Sequence, residues 1–275
     1  MDTFSVLTTE PQTVGVEWFA EISDLLLNKT EFVVAGIPHR FTEIEYYYFG
    51  GEHKDPFAHC DPLQQTTAKW YFHRESGSYR GGSFKGLDIS FGSEGMFGGI
   101  LIRTIEDPDG NEINGCSLCV DHLLKTTGHA KVADLDGEVA ERLIWDESSP
   151  IHIRHNDALT AKEIIPTARV GLTLKRMGKH PDMPAFIMRD YRYLTIPKIK
   201  KGKVHTIIAY HKQGLSAEEI KQKTRSPQRT INGYIDAFDE GQQLEDFQSY
   251  KGQSLKSADV CRLHGTWHRH FATTS

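Results

Sequence analysis

The stretch from Phe41 to Tyr48 alternates in the way that a β-strand does, and it constrains what the rest of the chain can build. In an extended strand, side chains two residues apart point to the same face. One face would carry two carboxylates and two aromatic rings, from Phe41, Glu43, Glu45 and Tyr47. Gly50-Gly51 ends the strand, and Asp55-Pro56 begins a turn that leads to His59.

This strand and its loop allow two interpretations. A carboxylate, stacking rings and an imidazole could together hold a flat ring and an activated water. The same residues could equally form an edge strand with solvated glutamates, because Asp and Glu are usually exposed. The stretch alone leaves both open.

The whole chain has the composition of a globular protein. It contains 275 residues with 38% hydrophobic and 25% charged side chains, which suits one large domain or one domain with a small appendage. No apolar run approaches the roughly 18–20 residues of a membrane span, and the first residues lack the pattern of a secretory signal. Four cysteines are few for this length and favour a reducing compartment. We therefore expect a cytoplasmic monomer without membrane contact.

The order of patterns predicts an α+β fold. Val14–Leu27 has the apolar spacing of an amphipathic helix. Strand-like segments then follow in a cluster without a regular βαβ alternation: 32–34, 41–48, 69–73, 87–91 and 100–105. Ala185–Thr195 also reads as a strand, with a break at Arg189-Asp190. We predict a curved, mostly antiparallel sheet surrounded by helices.

A basic linker separates a distinct C-terminal region. Residues 197–203 read P-K-I-K-K-G-K, so we divide the chain into domains 1–196 and 204–275. From Ile196 onward there are 13 Lys and Arg against 8 Asp and Glu, a balance of +5. The rest of the chain has 19 against 29, a balance of −10. This asymmetry is a mild indication that the appendage meets a polyanion.

The C-terminal region has the pattern of a helix-turn-helix. A helix over Val204–Gln213 precedes a capping box of Ser216 and Glu219, and Pro227 begins a further helix. Three side chains at the exposed start of that helix are candidates for reading base edges: Gln228, Arg229 and Asn232. A small helical bundle for protein contacts would give the same pattern.

Metal ligation is weakly indicated. Cys116 and Cys119 have the C-x-x-C spacing, and the tail carries Cys261 and several histidines. The spacings do not complete a zinc signature. We predict no metal.

Six short motifs occur in a fixed order along the chain. They are Glu43-Ile44-Glu45-Tyr46-Tyr47, Asp55-Pro56-Phe57-Ala58-His59, Trp70-Tyr71-Phe72-His73, Gly86-Leu87-Asp88-Ile89-Ser90, Leu101-Ile102-Arg103-Thr104-Ile105 and Ala168-Arg169-Val170-Gly171-Leu172. In this order they resemble the motifs of the alkyladenine (3-methyladenine) DNA glycosylase family, single-domain enzymes that remove damaged purines. The resemblance runs from about Ile22 to Thr195 and does not cover the region from Ile196.

The resemblance implies roles for individual residues. Glu45 matches the general base that activates water, and Arg103 matches the position that helps to bind that water or the nearby backbone. Tyr47 and His59 match residues that stack on or hydrogen-bond a flipped base. These two pairs are our candidates for catalysis and for base binding.

Other positions depart from the family or match it loosely. His73 stands where the family has a tyrosine, and Asp88 where it has an asparagine. Tyr79 is the best match to the residue that the family inserts into the DNA stack, and Phe84 is a rival. We also expect Arg169 among the DNA contacts.

The two residues that depart from the family, His73 and Asp88, change which substrate we expect. An ionised Asp88 can only accept hydrogen bonds, which suits the exocyclic amine of cytosine or adenine. The substrate would then be a modified base other than an alkylated purine, such as a modified cytosine. Asp88 could instead be solvent-facing or ion-paired, and His73 could be an ordinary core or surface histidine.

The resemblance implies a DNA glycosylase that acts on double-stranded DNA and leaves an abasic site, without metal, cofactor or strand cleavage. Repair of damaged DNA and attack on modified phage DNA are both open. Two other classes remain: an inactive DNA-binding regulator or damage sensor, and a hydrolase that uses Glu45 and His59 on a small nucleoside.

Overall fold

The computed structural model describes residues 4–8 and 14–272, which form two compact units. The first unit contains the chain up to Lys54, Ala58–Ile164 and Tyr193–Thr195. The second contains Asp55–Phe57, Ile165–Arg192 and the chain from Ile196 onward. The division at the basic linker stays a prediction, and residues 165–192, which it places in the first domain, belong to the second compact unit.

The first unit is an antiparallel sheet with helices around it. Its helices are α1 (Ser5–Thr8), α2 (Val16–Asn28), α3 (Cys116–Thr127) and α4 (Val132–Val139). Its main strands are β1 (Thr30–Val34), β2 (Ile37–Gly50), β4 (Thr67–Phe72), β7 (Leu87–Phe91), β8 (Phe97–Glu106) and β10 (Ile151–His155). Shorter strands are β3 (His53–Lys54), β5 (Arg74–Glu75), β6 (Ser78–Tyr79) and β9 (Glu112–Asn114).

The six main strands lie in the order β10–β1–β2–β8–β7–β4, and each neighbouring pair is antiparallel. The predicted α+β fold with a mostly antiparallel sheet is therefore confirmed. Strand β2 lies inside this order and is bonded on both sides, so it is not the solvated edge strand of the alternative interpretation.

The alternation in β2 separates an apolar face from a polar one. On the apolar face, the ring of Tyr46 stacks on Phe19 of α2 with centroids 4.3 Å apart, and its hydroxyl lies 2.9 Å from Ser23 Oγ. Tyr48 stacks on Phe91 of β7 on the same side. This packing covers one face of the sheet and leaves the carboxylates of β2 on the other.

The second unit is mainly helical. Its elements are β11 (Ile165–Thr167), α5 (Met183–Ile187), α6 (Lys203–Lys212), α7 (Ala217–Thr224), α8 (Gln228–Gly241) and α9 (Ser257–Phe271). A strand β12 (Arg192–Leu194) lies where the chain passes into the first unit. The strand predicted over Ala185–Thr195 is wrong in its first part, because Pro184 sits in the first turn of helix α5.

Helices α6, α7 and α8 pack on one another, as a helix-turn-helix requires. Helix α7 starts with the predicted capping box, in which Ser216 Oγ accepts from Glu219 N and the Glu219 carboxylate accepts from Ser216 N. Helix α9 lies along α8. Among the described residues, no helix combines the length and the hydropathy that a bilayer crossing needs.

Candidate functional site

The polar face of the sheet brings most of the predicted site residues together. Directly opposed residues on antiparallel strands project to the same side. Tyr71 is opposite Asp88, Asp88 is opposite Leu101, and Leu101 is opposite Glu45. A single row therefore crosses β4, β7, β8 and β2, with Glu45 and Asp88 separated by one strand.

Glu45 lies at the centre of a polar cluster although its side chain is fully buried. The hydroxyl of Tyr47 donates to Glu45 Oε2 over 2.8 Å. Arg103 Nη1 donates to the same oxygen over 3.3 Å. A carboxylate next to a fixed cation and a hydroxyl can take a proton from a bound water, which is the chemistry expected of it.

Arg103 holds two carboxylates, and β2 is irregular where one of them lies. The pairing with β8 shifts register between Phe41 and Ile44, and such bulges redirect side chains. Glu43 also reaches the guanidinium, with Arg103 Nε donating to Glu43 Oε1 over 3.1 Å. Thr104 Oγ1 donates to the other Glu43 oxygen over 2.6 Å. Burial opposes the charge of Arg103, but the adjacent Glu45 and Glu43 outweigh it and raise its pKa.

Cys116, the first residue of α3, lies near this cluster and was not a site prediction. Desolvation raises the pKa of its thiol to about 11, and the two glutamates add to the effect against the opposing charge of Arg103. A thiol with this pKa is protonated at neutral pH and is a poor nucleophile. The cluster is therefore better suited to general acid–base catalysis by the Glu45 carboxylate than to nucleophilic attack by the Cys116 thiol.

Asp88 and His73 form a hydrogen-bonded pair. The Asp88 carboxylate is buried, and its Oδ1 lies 2.7 Å from His73 Nε2. Its other oxygen, Oδ2, accepts from Gln64 Nε2 over 3.2 Å. Gln64 lies in a 3-10 turn over Pro62–Gln65 and was not predicted. Both oxygens of Asp88 are thus engaged within the protein, and His73 stands between Asp88 and the solvent.

His59 lies beside this pair. Its ring centroid is 4.7 Å from that of His73 at an interplanar angle of 59°, and the residue is exposed. Desolvation on its protein side lowers the pKa of His59, and the nearby His73 lowers it further. At neutral pH His59 is therefore an uncharged ring at the edge of the site.

The two candidates for insertion into a DNA stack, Tyr79 and Phe84, differ in how their side chains are held. The Tyr79 hydroxyl donates to Asp136 over 2.7 Å and accepts from Arg74 over 2.9 Å. Phe84 is 72% exposed. Both line a surface cleft of about 630 Å³ that is formed by the loop segments 75–81 and Phe84. The exposed, apolar Phe84 fits an inserted ring better than Tyr79 does.

Arg169 is not at a surface. In the second unit its guanidinium is fully buried and forms an ion pair with Asp55 over 2.5 Å. The ring centroids of Phe57 and Tyr191 lie 5.4 and 5.3 Å from it. The guanidinium of Arg169 is thus paired with a buried carboxylate inside the protein, and its contact with DNA stays a prediction.

The predicted base-reading residues lie at the start of α8. Arg229 and Asn232 are exposed, and Gln228 is half-buried. Gln228 Nε2 donates to Asn232 Oδ1 over 3.1 Å, which orients both amides on one side of the helix. Arg225, at the turn before α8, is also exposed. Over the ranges 4–8 and 14–272, no group of three or more metal-ligating side chains comes together.

Comparisons with known proteins identify a viral relative. No family model matches the chain, and no solved structure matches it. The chain is 31% identical over 217 residues to the uncharacterized protein L759 of Acanthamoeba polyphaga mimivirus. The match covers 72% of this chain and 96% of the viral protein. On this coverage and identity, the chain belongs to the same family as the mimivirus protein L759.

Proposed function

We propose that this protein is a DNA glycosylase that flips a modified base out of the duplex and hydrolyses its bond to the sugar, leaving an abasic site. The observation that carries the proposal is the Glu45 cluster. A buried carboxylate contacts a fixed cation and the Tyr47 hydroxyl on the same sheet face as Asp88. The resemblance to alkyladenine glycosylases assigns the role of general base to this same glutamate.

The reaction follows from the groups on this face. A base inside the duplex is out of reach, so it is extruded at a cost of a few kcal/mol. Stacking on rings such as Tyr47 and His59 returns about 1–3 kcal/mol per base. Glu45 takes a proton from a water, whose oxygen then bonds to the anomeric carbon. The bond from that carbon to the base nitrogen breaks, and its electron pair leaves with the base. The carboxylate of Glu43, which keeps its charge, favours the positive charge that develops on the sugar.

DNA binding is assigned to two places. Arg229 and Asn232 at the start of α8, with Arg225 at the turn before it, suit phosphates and base edges in a groove. In the first unit, the exposed Phe84 is suited to fill the gap that the flipped base leaves. The substrate is proposed to be an atypical modified base, such as a modified cytosine. The setting is repair or defence against modified phage DNA in the cytoplasm, with the protein acting as a monomer.

The test is excision by the full chain and by Glu45→Gln. Duplexes that carry different modified bases are incubated with protein, released bases are identified by mass spectrometry, and abasic sites are revealed by alkali. We expect Glu45→Gln to lower the excision rate by about 10²–10⁴-fold, the usual contribution of a general base. Glu94→Gln, an isosteric change at an exposed turn, should excise normally.

The alternatives give different results. Tight binding of a modified duplex without any abasic product would indicate a damage sensor rather than an enzyme. Equal excision by the wild type and Glu45→Gln would remove Glu45 from the mechanism. A protein that neither binds nor cleaves any modified duplex would overturn the proposal.

A further inference from the structure

In the hydrogen bonds that link Gln64, Asp88 and His73, it is fixed which group donates and which accepts. Asp61 N donates to Gln64 Oε1 over 3.3 Å. A backbone N–H is always a donor, so it fixes which end of the Gln64 amide carries oxygen. The NH₂ end then donates to Asp88 Oδ2 over 3.2 Å. An ionised carboxylate can only accept, so the hydrogen in the 2.7 Å contact with His73 sits on Nε2 of the imidazole.

The remaining nitrogen of His73 is available to a ligand. In the described part of the chain, Nδ1 has no hydrogen-bond partner. The side chain is 12% exposed, so the nitrogen is not sealed in the core. In the neutral ring with hydrogen on Nε2, Nδ1 carries a lone pair and accepts hydrogen bonds.

Two glycines leave room for this arrangement. A Cβ on Gly99 would lie 2.5 Å from Asp88 Oδ2 and 2.7 Å from Gln64 Nε2. A Cβ on Gly86 would lie 2.5, 2.7 and 2.9 Å from three ring atoms of His73. The nearest of them is Nδ1, with Cε1 and Cγ only slightly farther, so Gly86 packs against the ring face at Nδ1 and not in line with the lone pair in the plane of the ring. Asp88 and His73 are therefore held close to the backbone in one geometry.

We propose that Gln64, Asp88 and His73 form a polar relay that presents His73 Nδ1 as a hydrogen-bond acceptor and so selects bases with an exocyclic amine. This inference rests on the proposed function. Asp88 and Glu45 lie on one face with one strand between them. The usual spacing of strands in a sheet places their backbones about 10 Å from each other. A base bound between them would have its sugar bond toward Glu45 and its amino group toward His73.

The relay makes a specific prediction for Asp88→Asn. The Gln64 NH₂ still needs an acceptor, so the new amide turns its oxygen toward Gln64 and its NH₂ toward His73. His73 Nε2 then accepts and Nδ1 carries the hydrogen. Replacing the orienting carboxylate of a histidine by an amide is known to select the wrong tautomer in this way. The preference should therefore move from an amine to a carbonyl on the base.

The first measurement is the tautomer itself. Long-range ¹H–¹⁵N spectra of the full-length ¹⁵N-labelled protein distinguish hydrogen on Nε2, on Nδ1 or on both, and His73→Gln identifies the His73 signals. We expect the Nε2–H tautomer in the wild type and the Nδ1–H tautomer in Asp88→Asn. Glu138→Gln is the matched control, because Glu138 pairs with His129 Nε2 over 3.0 Å elsewhere in the unit. It should change the His129 signals only. A doubly protonated or Nδ1–H ring in the wild type would overturn the proposal.

The second measurement is base selection without chemistry. Glu45→Gln protein is titrated with duplexes that carry 5-hydroxymethylcytosine or 5-hydroxymethyluracil opposite an abasic-site analogue, so that base pairing does not differ. We expect about tenfold tighter binding of the amino-bearing base, as one hydrogen bond provides, and a reversed preference after Asp88→Asn is added. Equal binding of both duplexes, or an unchanged preference in the double variant, would contradict the proposed relay. Neither outcome would contradict the proposed glycosylase activity. If neither duplex binds better than unmodified DNA, and the wild type releases no base, the proposed function is contradicted. The proposed base selection, which rests on that function, is then contradicted as well.

Discussion

At the scale of single residues, the Glu43–Arg103–Glu45 group is stable only as a whole. Each charge has lost water, and the contacts among the three, together with the hydroxyls of Tyr47 and Thr104, offset that loss. Arg103 is the centre, since it donates to both carboxylates. Its removal would leave two like charges buried side by side.

We therefore predict that Arg103→Met lowers the free energy of unfolding by about 3–5 kcal/mol, the usual cost of breaking a buried ion pair on one side. Adding Glu43→Gln should recover part of this loss, because one unpaired carboxylate is removed. Urea denaturation of the two single variants and the double variant measures the coupling. Additive effects of the two substitutions would show that the group is not coupled.

The sequence predicted some members of the site and missed others for a physical reason. The two-residue period of β2 was enough to place Glu45 and Tyr47 on one face. The contact of Asp88 with Gln64 depends on a 3-10 turn from a different part of the chain, which no local pattern indicates. The burial of Arg169 was not foreseen because its partner Asp55 lies 114 residues away, and an arginine is rarely buried without such a partner.

At the scale of elements, amphipathic periodicity identified α2 and the helices α6 to α8. It failed for α9, whose apolar positions lie among histidines and arginines, such as His268, Arg269 and His270. Helix α9 is held by a close approach to α8 that periodicity cannot reveal. A Cβ on Gly265 would lie 1.9 Å from Phe238 O, and one on Gly241 would lie 2.0 Å from Arg262 O.

This crossing predicts opposite effects for two glycine substitutions. Gly265→Ala should destabilise the protein by about 1–3 kcal/mol, because the contact is with backbone that cannot rotate away. Gly233→Ala is the matched control: Gly233 lies in α8 with open space around its Cβ position. It should stabilise by up to about 1 kcal/mol through helix propensity. Chemical denaturation measures both, and a neutral Gly265→Ala would contradict the close crossing.

At the scale of the whole molecule, the sheet order could not be derived from the sequence. Strand β8 lies between β2 and β7, and β1 pairs with β10 from more than a hundred residues later. Alternation fixes which face a residue takes within its strand, but not which strand lies beside it. The motifs that predicted strands β2, β7 and β8 therefore gave no order for them, and no pattern pointed to the pairing of β10 with β1.

Histidines that lose water on folding predict how the stability of the molecule responds to acid. Five described histidines have a pKa that is lowered chiefly by desolvation: His39, His59, His122, His264 and His268. They are neutral when folded and bind protons more readily when unfolded. Stability should thus be fully present above pH about 6.5 and fall as the pH drops below it. The carboxylates with lowered pKa values change the free energy of unfolding only below about pH 5. Urea denaturation between pH 8 and pH 5.5 therefore measures the contribution of the histidines alone.

His264 should account for a large part of this slope. It is buried in α9, its Nε2 lies 2.8 Å from His205 Nδ1, and burial together with His205 lowers its pKa well below the usual value. A single such histidine contributes about 1.4 kcal/mol per pH unit below the unfolded pKa. His264→Gln keeps a hydrogen-bonding partner for His205 but does not titrate, so the free energy of unfolding should depend less steeply on pH between 6.5 and 5.5. His270→Gln removes an exposed histidine of the same helix and should leave the slope unchanged. An equal slope in His264→Gln and the wild type would mean that the buried pair takes up its proton without unfolding.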